Sequence, residues 1–107
     1  MKNDSYSEAV MVIDDKTIDK MESLLNIMSD FTRLKIMYAI KGQEKNVGEI
    51  VKEVGASQSL VSHQLKVLRK ANLVSVRKEG TKVFYELADD HVYQLLDVCK
   101  EHVLEDK

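Results

Sequence analysis

Four residues near the C-terminal end of the 107-residue chain carry metal-ligand chemistry: Asp89, His91, His102 and Glu105. Two imidazoles and two carboxylates suit a borderline ion such as zinc, which accepts nitrogen and oxygen donors. Read on a helix, His91 and His102 lie only ~20° apart around the axis but ~16 Å apart along it. One ion therefore cannot bind both from the same chain. His102 and Glu105, at i and i+3, can share an ion, and so can Asp89 and His91 around the helix start. Two copies of the helix running antiparallel across a two-fold would set each pair opposite the other copy's second pair. That gives two equivalent four-ligand sites. Two nitrogens and two oxygens in a closed shell suit tetrahedral Zn(II), with Co(II) a chemical mimic. The plainer alternative is structural histidines at the edge of an apolar face and solvated terminal acids.

A second group of residues suits phosphates and base edges. Gln58, Ser59, Ser62 and His63, followed by Lys66 and Arg69, lie on the side of one amphipathic segment away from Val61, Leu65 and Leu68. Gln pairs bidentately with adenine, Ser and His donate to base edges, and Lys and Arg farther along suit phosphates. Arg77, Lys78 and Lys82 flank a turn downstream and bring positive charge to where it reaches an adjacent groove. The alternative is a basic, solvated helix face.

The elements that must position these groups follow from periodicity. Apolar residues at Ile18, Met21, Leu24, Leu25 and Met28 predict a helix over 17–28, after Asp14 and Asp15 as caps. Ser29 is read as the N-cap of a second helix through Phe31, Leu34, Ile36, Met37 and Ile40, ending at Gly42. A third spans 45–54 and ends at Gly55; Ser57 caps a fourth over 58–70. The Gly55-Ala56-Ser57 link has the length and glycine content of a helix-turn-helix. After Asn72 the period changes to two, through Leu73, Val74 and Val76, then Val83, Tyr85 and Leu87, with Glu79-Gly80 between. That pattern predicts a β-hairpin. A last helix covers about 90–104, with Leu95, Cys99, Val92, Val103 and Leu96 forming its apolar arc. The expected fold is mainly α with a small hairpin, about five helices in one domain over 16–107. Residues 1–15 are expected to form a flexible acidic extension.

Composition limits the classes. The chain has 16 basic and 18 acidic residues, no Pro and one Cys, so no internal disulfide framework is available. That usage points to a reducing cytoplasm. The apolar run from Ala9 to Ile13 is far too short for a membrane span, and no basic segment precedes a signal-like stretch. Neither membrane partner nor small-molecule substrate is expected. No G-x-S-x-G, H-E-x-x-H or phosphate loop is present, and catalytic zinc keeps an open position, so an enzyme is not expected. The net charge of −2 looks unlike that of a DNA binder. Yet residues 57–82 hold six basic residues against one acid, while 83–107 hold two against seven. A strongly basic segment inside an acidic chain is a local phosphate footprint.

The stretch Ser57-Gln58-Ser59-Leu60-Val61-Ser62-His63-Gln64-Leu65-Lys66-Val67-Leu68 resembles the recognition helix of the ArsR/SmtB family of winged helix-turn-helix repressors. Ser29 to Ile36, Gly48-Glu49-Ile50 and Gly80 to Tyr85 extend the resemblance, which covers about 17–105. It implies a homodimer held by its first and last helices, two winged helices facing the half-sites of double-stranded operator DNA, and release by an inducer. Asp-x-His-x10-His-x2-Glu on the last helix is similar to the zinc-sensing subtype, in which one subunit supplies the first pair and the other the second. Glu105 stands where some of those relatives carry His. The resemblance also implies a route for release, in which the non-coordinating nitrogen of His102 donates to a backbone carbonyl near Asn72. Nickel prefers more ligands, and His63 lies in the recognition helix. Arsenic, cadmium and lead sensors use cysteines near the third helix, where this chain has Asn46-Val47-Gly48-Glu49. Cys99 is read as packed core. The alternatives are the same fold answering to cobalt, to redox chemistry at Cys99, or to no metal.

Overall fold

The computed structural model describes residues 12–105. Their order is α1 (Asp15–Met28), α2 (Phe31–Ile40), α3 (Val47–Val54), α4 (Gln58–Lys70), β1 (Val74–Glu79), β2 (Lys82–Leu87) and α5 (Asp90–Leu104). Most of the acidic extension expected at 1–15 lies outside the described residues. Within its last part, Asp14 caps α1 and Asp15 is the first helical residue.

Each of the five described helices opens on a side-chain cap, which satisfies one of the backbone N–H groups that a helix start leaves without a partner. Asp14 accepts from the Thr17 N–H at 2.8 Å and Ser57 from that of Leu60 at 3.1 Å. The second helix starts one residue later than Ser29 suggests. Asp30 is its cap and accepts from the Arg33 N–H, while the Ser29 hydroxyl donates to the Asn26 carbonyl and closes α1. The third helix also starts late, at Val47, because Lys45 pairs with Tyr85 of β2 in an antiparallel bridge. Asn46 and Glu49 then form a reciprocal capping box, each side chain accepting from the other's backbone N–H at 2.9 Å. Asn46→Ala removes one arm of that box. It should cost about 1 kcal/mol, read as a lower urea midpoint with unchanged slope at equal chain concentration.

The core centres on α2, whose Ile36, Met37 and Ile40 are fully buried among Ile50 of α3, Val61, Leu65 and Leu68 of α4, and Leu96 of α5. Gly55 ends α3 at φ 77°, in the left-handed region where glycine carries no Cβ penalty. That turn aims α4 away from α3 and completes a helix-turn-helix. β1 and β2 pair antiparallel from Val74↔Leu87 to Glu79↔Lys82, joined by Gly80 and Thr81. Val74 and Leu87 are buried and root the hairpin in the core. Among the described residues, five helices and a two-stranded antiparallel wing make this a winged helix-turn-helix.

The first and last helices leave apolar surface uncovered. α1 buries only Met28, and its Ile18, Met21 and Leu25 face outward. α5 buries Val92 and Leu96. Val103 is on the same side of that helix but is 70% exposed. The last two turns of α5 therefore run past this chain's own core. Cys99 lies just beyond Leu96 and is exposed, so its reading as packed core is corrected. It lines an apolar groove with Leu25, Met28, Leu34 and Leu95, between α1, α2 and α5. No helix among the described residues is long and apolar enough to cross a membrane.

Candidate functional site

The sequence-predicted reading residues fall together on α4. At 100° per residue, Gln58, Ser59, Ser62, His63, Lys66 and Arg69 occupy an arc of about 140°. All six are exposed, and Val61, Leu65 and Leu68 fill the opposite face as core. The Ser57 cap is taken up by its helix, but its hydroxyl is also 3.5 Å from that of Ser59. A shallow groove of about 410 Å³ separates this face from the wing and is lined by Ser62, His63, Lys66, Arg69 and Tyr85. Lys70, not singled out by sequence, joins Lys66 and Arg69 in a neighbouring basic hollow. Its spacing of i+4 from Lys66 was the available signal.

Of the three basic wing residues, Lys78 and Lys82 stand exposed on either side of the turn. Arg77 is engaged differently. Its Nε and Nη2 donate to the two oxygens of Glu44 at 3.0 and 2.6 Å, and its Nη1 donates to Glu79 at 2.8 Å. The guanidinium also lies over the Phe84 ring, 4.8 Å from its centroid. These bonds hold the Glu44 carboxyl below its usual range, so it stays charged at neutral pH. Sequence reasoning could not find this arrangement, because Glu44 is 33 residues away and no local spacing signals it.

A second linkage was equally invisible. Arg33 of α2 donates from Nε to the Ile27 carbonyl at the end of α1 and from Nη1 to Gln64 of α4, both at 2.7 Å. It ties α1 to α4 through one side chain.

The candidate metal ligands sit at the two ends of α5. Asp89 is its N-cap and accepts from the Val92 N–H at 3.1 Å. Its Oδ1 lies 3.9 Å from Nδ1 of His91, and the His91 side chain is 88% exposed. Two ligands of a tetrahedral zinc stand about 3.3 Å apart, given bonds of about 2.0 Å. A modest side-chain rotation therefore brings this pair to an ion, and a carboxylate has lone pairs enough to keep its cap meanwhile. His102 occupies the last turn and Glu105 is the C-cap, both exposed. The donor types fit zinc. Among the described residues, no three His, Cys, Asp or Glu side chains gather to hold an ion. The single chain thus offers two separate pairs, the arrangement that eleven-residue spacing demanded. Between the pairs, on the same face as both histidines, lie Leu95 and Val98, 42% and 63% exposed. The histidines thus bracket an apolar stripe.

Asn72 follows α4 in the left-handed region at φ 61°, a conformation asparagine adopts readily. It lines a groove with Asp19, Ser23, Leu24 and Ile27 of α1. No hydrogen bond joins it to His102 among the described residues.

Comparison with known proteins gives a consistent picture. Residues 30–76 match the sequence pattern described as bacterial regulatory protein, arsR family. A transcriptional repressor SmtB homolog of Synechocystis is 37% identical over 86 residues, which cover 80% of this chain and 65% of that protein. This chain thus spans slightly less than two thirds of that relative's length. The HTH-type transcriptional regulator NmtR of Mycobacterium tuberculosis is 34% identical over 84% of this chain and 75% of its own. Among solved structures, HlyU from Vibrio cholerae superposes with a TM-score of 0.78 at 32% identity, covering 86% of this chain and all of that one.

Proposed function

Because the chain belongs to the arsR family of bacterial regulatory proteins, we propose that it is a zinc-responsive repressor, bound to operator DNA as a metal-free homodimer and released when Zn(II) occupies two intersubunit sites. The family is one of transcription regulators, not enzymes. In this reading Gln58, Ser59, Ser62 and His63 face base edges in a major groove, while Lys66 and Arg69 meet phosphates. Lys78 and Lys82 reach the backbone from the wing. The dimer forms through the uncovered faces of α1 and α5, and the protein works in the cytoplasm.

The observation that carries the metal assignment is the exposed face of α5, apolar in its middle with one ligand pair at each end. Antiparallel pairing buries Leu95 and Val98 and brings Asp89 and His91 of one subunit toward the other's second pair. Zinc bound there would supply a closed tetrahedral cross-link between subunits. Bound cations make the dimer less negative, so release cannot come from bulk repulsion and must come from conformation. His102, through its second ring nitrogen, is the residue proposed to pass that change to the backbone near Asn72.

The test uses a duplex selected from a random-sequence pool by the chain in EDTA. Added zinc should lower its affinity by about 5–150-fold, the usual range for a coupling of this kind. Equal affinity with and without zinc removes the sensor claim and leaves DNA binding. Failure to select any duplex removes DNA binding itself. The exposed thiol of Cys99 supports a second reading, in which the same repressor answers to oxidation. Release by diamide in EDTA would select that reading.

A further inference from the structure

We propose that Arg77 is a positioning residue for the wing and not a phosphate ligand: its fork on Glu44 fixes the hairpin to the segment between α2 and α3. The proposal rests on the DNA-binding reading. Its support is geometric.

Arg77 lies on β1 directly across from Phe84 on β2. Its side chain passes over the Phe84 ring to reach Glu44, one residue before Lys45. Lys45 in turn exchanges both backbone hydrogen bonds with Tyr85, at 3.0 and 2.8 Å. The guanidinium therefore spans three adjacent stretches of backbone: β1, β2 and the 44–45 segment. An isolated two-stranded hairpin is marginal in water. Here the third stretch and the bidentate pair set the hairpin's direction relative to the helix-turn-helix. The exposed lysines of the tip, Lys78 and Lys82, begin one residue beyond this anchor, so their reach depends on its angle.

Three of the five N–H donors of Arg77 are also committed. Nε, Nη1 and Nη2 each hold a carboxylate oxygen, and one ring face is covered. A phosphate could take the Nε–Nη2 fork of Arg77 only by displacing Glu44, and would then leave that carboxylate facing the DNA backbone. The same guanidinium shares its single positive charge with Glu79, an acid placed between the lysines of the tip. Bidentate geometry is particular to arginine, since lysine offers a point charge and no fork.

Positioning and direct contact predict different outcomes for three variants, measured on the selected duplex as a function of salt. A phosphate contact contributes about 0.9 to the slope of log K against log salt. Under the proposal, Arg77→Gln, Arg77→Lys and Glu44→Gln each lower affinity by about five-fold. All three leave the slope unchanged, and Glu44→Gln combined with Arg77→Gln is no worse than either alone. Lys78→Ala serves as the contact control and loses about 0.9 of slope. If Arg77→Gln reduces the slope as Lys78→Ala does, Arg77→Lys restores it, or Glu44→Gln raises affinity, Arg77 is a DNA contact and the proposal is overturned. Amide exchange separates this from failure of the DNA-binding reading. Exchange across 74–87 should quicken in Glu44→Gln and Arg77→Gln while the α2 core stays protected, with or without DNA. Unchanged exchange in the hairpin overturns the anchor regardless of what the wild-type chain binds.

Discussion

Leu95→Glu combined with Val98→Glu should separate the protein into single chains and lower affinity for the selected duplex by about 100-fold or more. The size of the effect comes from bivalency, since linking two reading modules raises affinity by about 10²–10⁴ over one alone. Both positions are exposed on a single chain, on the stripe that the histidines bracket. Two carboxylates there leave the chain's own core intact while making burial against a second copy costly. The need for a second copy follows from surface left apolar on two elements. Ile18, Met21 and Leu25 on α1, with Leu95, Val98, Val103 and Leu104 on α5, are all exposed in one small domain. Leu25 and Leu95 line one apolar groove between the two helices, and exposed apolar surface of this kind marks an interaction site. Sedimentation gives the state of assembly and anisotropy the affinity. A double variant that still sediments as two chains, or binds within about three-fold of wild type, would show that the subunits meet elsewhere.

His91→Ala should lower zinc affinity by at least about 100-fold, because a direct ligand matters more than the outer partners whose loss alone typically costs 10–100-fold. DNA affinity in EDTA should stay at the wild-type level, since His91 lies at the start of α5, outside the α4 face and the wing lysines assigned to DNA. Zinc would then no longer release the duplex. The companion variant His102→Asp keeps an oxygen ligand but removes the second ring nitrogen. It should bind zinc yet release DNA weakly, and normal release would remove the route through His102 to the backbone near Asn72. Competition against a chromophoric chelator reads the first quantity, and anisotropy at saturating zinc reads the second. If His91→Ala binds zinc like the wild type, the pair at the start of α5 is not a ligand pair.

Most elements were legible because their cores are local in pattern. Four of the five described helices show a 3.6-residue apolar period, while the central α2 is apolar nearly all round and is bounded by its caps. The hairpin shows a period of two, so these elements fall within a few residues of their expected places. The misreadings have a common physical origin. Ser29 and Asp30 are both good caps, and only the fold decides which hydrogen-bonds forward. Lys45 has helical neighbours, yet Tyr85, distant in sequence, captures its backbone. Cys99 sits on an apolar arc, but periodicity reports that a face is apolar and not where the core beneath it ends. Arg77 reads as a free cation in sequence because charge counting cannot see Glu44 across the fold. The metal pairs gain most from sequence, since their axial separation follows from spacing alone. Their bracketing of an uncovered apolar stripe needed the structure.

Asp89 and Glu105 are the two residues that flank α5 as its caps. Each candidate ligand pair therefore straddles a helix boundary, with His91 in the first turn and His102 in the last, and a carboxylate just outside each. Helix ends are where a chain frays and opens first. In the proposed dimer, a cross-link from the start of one subunit's α5 to the end of the other's would hold all four ends together. Two ions at the proposed sites would thus stiffen both helices along their length and turn the pair into a single rigid beam.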